Sequence, residues 1–266
     1  MEITWLLSYL ALGAITGVFA GLLGIGGGGI MVPVLVLLFA AQGVEQTVLV
    51  HLALGTSMAA IVPTALASTL AHHRRGGVNW QAARSLTPGV LLGTFVATFI
   101  AASLANKPLA IFFAVFMTIM AAYMMWGRPP RPERMLPRFT GMTFVGTGIG
   151  AVSALVAIGG GSLTVPFLVW CNTPVARAIG TSASVGLPIA AAGAIGYAIN
   201  GWGDVALPPH ALGFVLWPAV LLMASMSFFT APLGAYLAHR LPVLTLKRLF
   251  ALVMVLLAIK MLHGIW

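Results

Sequence analysis

Two glycine runs and two hydroxyl pairs are the residues of this chain best suited to hold a ligand. The runs are Gly26-Gly27-Gly28-Gly29 and Gly159-Gly160-Gly161-Ser162; the pairs are Thr56-Ser57 and Thr181-Ser182. They offer backbone amides and hydroxyls, donors that can replace the lost hydration of an anion. A helix beginning at a glycine run would present unpaired N–H groups and the positive end of its dipole. Glycine also lets backbone approach a ligand closely. Ser162 could donate to an oxyanion or cap its own helix. The other reading of the runs is close helix packing by small residues. The hydroxyls could equally bond back to their own helices. His51 could titrate as a coupling group or be packed, and Arg177 could draw anions to a pore mouth or snorkel.

These residues are duplicated. Ile25–Leu35 and Ile158–Leu168, 133 residues apart, share seven of eleven positions, including the pairs Val32-Pro33 and Val165-Pro166. Gly13 and Gly17 match Gly146 and Gly150 at the same offset. Gly55-Thr56-Ser57 matches Gly180-Thr181-Ser182 at an offset of 125, as Pro63 matches Pro188. Register held through two motifs and one indel indicates an internal repeat. Each glycine costs about 1 kcal/mol relative to alanine inside a helix, and Pro33 and Pro166 loosen backbone pairing nearby. Broken helices present twice point to a transporter with its site at the breaks, Pro33 and Pro166 serving gating. The stripe Gly13, Gly17, Gly21 reads as packing.

The elements that must position these groups lie in a bilayer. Hydrophobic residues make up 60% of the chain and charged residues 6%, against about 25% charged in soluble domains. The pattern predicts an all-α polytopic membrane protein with 8 to 10 segments, at 5–23, 30–41, 47–71, 82–104, 108–126, 139–157, 162–171, 175–199, 210–237 and 243–264. The segments 30–41 and 162–171 are short, and either cross or re-enter. Residues 5–23 read as a retained span, since no Lys or Arg precedes them. The linker 128–138 separates a first repeat, 1–127, from a second, 139–266. Basic residues cluster at Arg74-Arg75, around Arg128–Arg138 and at Arg240–Arg248. Matching loops of the two halves carry opposite charge bias, so the repeats are expected to be inverted, with both termini outside.

The twin motifs GIGGGGIMVP and AIGGGSLTVP, each followed by GTS, resemble the sulfite exporter TauE/SafE family over nearly the whole chain. The resemblance implies a bacterial-type inner-membrane protein that moves small anions, often sulfur oxyanions or organosulfonates. It does not name the cargo.

Other chemistries are disfavoured. Gly24–Gly29 satisfies G-x-G-x-x-G, but its flanks are transmembrane rather than strand and helix. No Asp or Glu falls in a predicted span, which speaks against a carboxylate proton relay. No P-loop appears, and no cluster has metal-ligand spacing. The net charge of +9 is scattered through short loops, so nucleic-acid binding is not expected. The expectation is a secondary transporter or permease for a small anion, without cofactor, metal or enzymatic activity, in the cytoplasmic membrane. An anion channel and a membrane-embedded scaffold are the alternatives. Oligomeric state, direction and coupling ion are left open.

Overall fold

The computed structural model describes residues 3–24, 27–127, 134–238 and 243–265, with backbone alone for 243–247 and 264–265. Gly26, Arg128, Arg131 and Arg240 lie outside the described residues. The described chain forms ten helices: α1 Ile3–Leu23, α2 Gly28–Ala41, α3 Leu49–His73, α4 Trp80–Ser103, α5 Asn106–Trp126, α6 Phe139–Val156, α7 Gly161–Trp170, α8 Val175–Asn200, α9 Trp217–Leu237 and α10 Val243–Ile265. Among the described residues, α1, α3, α4, α5, α6, α8 and α9 are long and apolar enough to cross a membrane. The protein is an all-helical, multi-pass membrane protein. Its outward surface carries exposed large apolar side chains such as Phe144 and Phe229, as lipid contact allows.

Two long helices form the centre. In their most apolar 18-residue windows, α3 is 83% buried and α8 72%, against 50% or less for the other spans. The two run antiparallel: Gly193 packs on Met58, while Gly180 packs near His72. Around them the halves exchange helices. α1 lies along α9 and α6 along α4, while α3 also meets α9 and α8 meets α4. Small residues permit these approaches. A Cβ on Gly13, Gly17 or Gly21 would run into the backbone or side chains of α9 at Met223, Ser227 with Thr230, and Ala231. Gly89 and Gly93 sit likewise against Thr143 and Thr147 of α6. Both pairs run parallel, since residue numbers rise together along each seam. The glycine stripe is a packing seam, as small residues are in membranes.

One end of the molecule gathers the C-termini of α1, α3 and α9 with the N-termini of α4, α6, α8 and α10. There His72 Nε2 lies 3.0 Å from the Gly21 carbonyl, and Arg75 Nη1 donates to the Ala235 carbonyl at 3.2 Å. Arg74, Arg75, Arg84, Arg134, Arg138, Arg177 and Arg248 all belong to this end. The opposite end holds Glu45, Lys107, Asp204 and the last turns of α10 with Lys260.

Two helix starts differ from expectation. The segment expected at 210–237 begins as a helix only at Trp217. The run before it folds into a turn closed by Leu212 N–H donating to the Val215 carbonyl at 2.8 Å. Gly213, at φ +53, lies against the Ala198 carbonyl, which a helix there could not do. The second difference is that the glycine runs are partly helical: α2 starts at Gly28 and α7 at Gly161.

Candidate functional site

The two breaks are built alike. α1 ends before Gly24 (φ +68), and α6 ends before Ala157 (φ +45), the matching position 133 residues on. The chain then turns back through a glycine in the left-handed region that caps the following helix: Gly27 at φ 80, ψ −8 and Gly160 at φ 74, ψ −9. Any other L-residue costs about 1–2 kcal/mol in that conformation, so these two glycines have a backbone reason to be there. Neither helix start is capped by a side chain. The first bonds of α2 run from the Ile30 and Met31 amides to the Gly27 carbonyl, and those of α7 from Leu163 and Thr164 to Gly160. The amides of Gly28, Gly29, Gly161 and Ser162 precede those bonds and stay outside the helical ladder. Pro33 and Pro166 each stand sixth in their helix and leave the carbonyls of Gly29 and Ser162 without their usual donor.

The breaks touch each other. A Cβ on Gly28 would collide with the Ala157 carbonyl oxygen, and one on Gly186 of α8 would stand 2.8 Å from the Gly159 carbonyl. Ser182 Oγ donates to the Gly24 carbonyl at 2.8 Å, tying the first break to α8. Between the breaks lies a small cavity lined by Gly24, Gly159, Ala65 and Ser68 of α3, and Ala183 and Gly186 of α8. It has room for about one water molecule. Ser68 is 1% exposed and its hydroxyl has no hydrogen-bond partner. A buried, unsatisfied hydroxyl costs about 1–3 kcal/mol, and a water in this cavity would satisfy it; Ser57, Thr69, Ser153 and Thr164 have likewise no partner for their hydroxyls. Among the described residues, no charged side chain lines the cavity.

The hydroxyl pairs are not gathered at one place. Thr181 sits level with His72 near one end of α3, while Thr56 lies near the other. At 1.5 Å per residue they are roughly 20 Å apart. Both threonines are occupied. The Asn79 amide donates to Thr181 Oγ1 at 2.8 Å, and Thr181 Oγ1 donates to the Arg177 carbonyl at 2.7 Å. The Leu216 amide donates to Thr56 Oγ1 at 3.0 Å. Asn79 and Leu216 are the capping residues of α4 and α9. Each GTS threonine therefore holds the start of a helix from the other half. Ser57 is fully buried with no partner for its hydroxyl.

His51 stands apart from the breaks. Its Nδ1 lies 2.8 Å from Asn106 Oδ1 and its Nε2 3.0 Å from the Ala101 carbonyl, joining α3 to α5 and to the end of α4. Arg177 is exposed in the first turn of α8. Ser162 is buried at the second position of α7, where the first repeat has Gly29. Among the described residues no group of His, Cys, Asp and Glu could hold a metal ion.

Ser68, Ala65, Ala183 and Gly186 are cavity residues that the motifs do not reach. One signal for Ser68 exists: it follows Ser57 by eleven residues, three helical turns, on the same face. The repeat hides it, because the matching position is Gly193.

Comparison with known proteins agrees with this architecture. The chain is 38% identical over 260 residues to a probable membrane transporter protein of Haemophilus influenzae, covering 97% of this chain and 98% of that one. It is 28% identical to a probable membrane transporter protein of Methanocaldococcus jannaschii, covering 85% and 83%. It is 24% identical to the probable membrane transporter protein YunE of Bacillus subtilis, covering 96% of each. No solved structure matches. The family model described as sulfite exporter TauE/SafE matches residues 9–261. With paired broken helices and nearly full-length coverage, the chain belongs to the sulfite exporter TauE/SafE family of membrane transporters.

Proposed function

We propose that this membrane transporter is a secondary transporter or permease for a small anion, bound between the two helix breaks. The observation that carries this reading is a pair of matching helix breaks that touch each other, each followed by an uncapped helix start, beside a small cavity lined by Gly24, Gly159 and Ser68. Backbone amides at helix starts bind anions without a cationic side chain. The binding set is Gly26–Gly29, Gly159–Gly161 and Ser162, with Ser68 added from α3. Pro33 and Pro166 give each short helix a point at which to flex. Thr56, Thr181 and Ser182 hold the frame of the site, and Ser57 is a second hydroxyl on its α3 side. His51 and Arg177 act near opposite ends of the pathway rather than at its centre.

The helix directions favour repeats 1–127 and 139–266 of inverted topology. α3 and α8 are antiparallel, and α1 and α6 belong to seams that start from opposite ends. The arginine-rich end is the cytoplasmic one by the positive-inside rule, which also puts the 128–138 linker in the cytoplasm. Rocking of the halves about the breaks would alternate access. The family's name supports a sulfur oxyanion, or an organosulfonate of similar shape, as cargo.

The test is flux of labelled sulfite in liposomes carrying the purified protein. Saturation together with counterflow supports a carrier. Flux linear in concentration, without counterflow, supports the channel. Protein-independent flux across sulfite, sulfonates and carboxylates removes the anion reading.

A further inference from the structure

We infer that His51 is a proton-binding site, and that this conformation is its protonated form, in which the ring clamps one end of the transporter shut. This rests on the transport reading above and adds a proton as the ligand of a gate.

Both ring nitrogens of His51 face oxygen. Nε2 lies 3.0 Å from the Ala101 carbonyl in the last turn of α4, and a carbonyl can only accept. Nδ1 lies 2.8 Å from Asn106 Oδ1 at the start of α5. Two backbone groups of fixed polarity set which end of the Asn106 amide meets the ring. The Val50 amide donates to Oδ1 at 3.3 Å, and Nδ2 donates to the Gln46 carbonyl. A turned amide would lose both bonds. A neutral imidazole has one N–H and one lone pair. It would satisfy one of the two oxygens and set its lone pair against the other. Only the imidazolium donates to both. The Phe214 ring, its centroid 5.1 Å from that of His51, adds an aromatic face within reach of a cation. His51 is 4% exposed, which leaves little room for water to take over either bond.

The other titratable groups of this end are Glu45 before α3, Lys107 beside Asn106, and Asp204 and His210 between α8 and α9. All four are exposed, and Glu45 takes the Thr47 hydroxyl at 2.9 Å. The last turns of α4 contribute none. The end of the α4 dipole favours a cation here and the start of α3 opposes it. The proton is thus held by two oxygens rather than by a counter-ion. Its loss removes one of the two bonds by which the ring ties α3 to α4 and α5. Opening of this end requires α3 to part from those helices.

Histidine-selective 15N labelling of the full-length protein in detergent reads the ring directly, with His51 assigned by the signal lost in His51→Gln. From about pH 8 down to about pH 5, where histidine changes charge, the ring should pass from one protonated nitrogen to two. Asn106→Ala, which removes one oxygen, should need about tenfold more protons to reach the same midpoint. Access is read in a Cys171→Ser background with a membrane-impermeant thiol reagent. Val48→Cys places the thiol at the buried residue that opens α3, and Thr47→Cys, at an exposed neighbour, corrects for the pH dependence of the thiol itself. The ratio of the two labelling rates should fall about tenfold as the ring takes up its proton, the worth of one charged hydrogen bond. In His51→Gln the ratio should not change with pH. A ring that keeps one proton or two throughout, or an unmoved midpoint in Asn106→Ala, overturns the proton site. A ratio that ignores the titration, or that follows pH equally in His51→Gln, overturns the clamp. Titration and closure without anion flux in liposomes overturn the transport reading and leave the proton site standing.

Discussion

Gly28 and Gly29 are neighbours with opposite tolerances. A Cβ on Gly28 meets the backbone oxygen of Ala157 in the facing break, and a backbone atom there cannot swing aside. A Cβ on Gly29 meets only Met117 Sδ at 3.4 Å and Met254 Cε at 3.6 Å, ordinary contacts with flexible side chains. Gly28→Ala should therefore destabilise by about 1–3 kcal/mol, as overpacking does. Gly29→Ser, which copies Ser162 of the second repeat, should leave the melting temperature within about 2 °C of the parent. Thermal melting of the two variants in detergent checks both. Equal losses would mean that the breaks do not touch as described. The sequence shows the runs plainly, but four glycines in a row look alike. Their ranking emerges only from what each one faces.

At the scale of elements, the GTS threonines are joints. Thr181 accepts the amide that opens α4, and Thr56 the amide that opens α9. Thr181→Val would leave the Asn79 amide unsatisfied, at a cost of about 1–3 kcal/mol. In a chain of this length that corresponds to a melting point lower by about 2–10 °C. KM for the anion should stay as it was, and flux assays at matched protein amounts would read that. A raised KM with an unchanged melting point would return Thr181 to the binding site. The repeat made Thr56 and Thr181 legible as equivalent residues. It could not tell that antiparallel α3 and α8 carry them to opposite ends, since an offset between copies holds no distance. The start of α9 was illegible for another reason. Residues 210–216 are as apolar as a helix, but tertiary contacts of Gly213 and Phe214 hold them in a turn. The short helices, by contrast, were readable from Gly and Pro alone, because those two residues act on backbone directly.

Across the whole molecule, charge is sorted by end. In a background with Cys171→Ser, a cysteine at Lys107 should react with a membrane-impermeant thiol reagent added outside intact cells. A cysteine at Arg74 should react only after the membrane is opened. Both positions are exposed. The reverse result would invert the orientation. With the arginine end inside, a membrane potential of 100 mV, negative within, is worth about 2.3 kcal/mol per charge. A monoanion moving without a coupled ion would be driven outward about fiftyfold.

The helix exchange between halves also has a meaning in time. The seam of α1 needs α9, whose first residue follows the end of α1 by about 190 residues. The matching seam of α6 needs α4, which has already been made when α6 leaves the ribosome. At about 5–20 residues per second of synthesis, the bare stripe of Gly13, Gly17 and Gly21 waits about 10–40 s for its partner. Two seams that are equal in the finished protein are unequal during its birth. The newly inserted α1 thus holds a bare packing stripe in the membrane until most of the chain has been made.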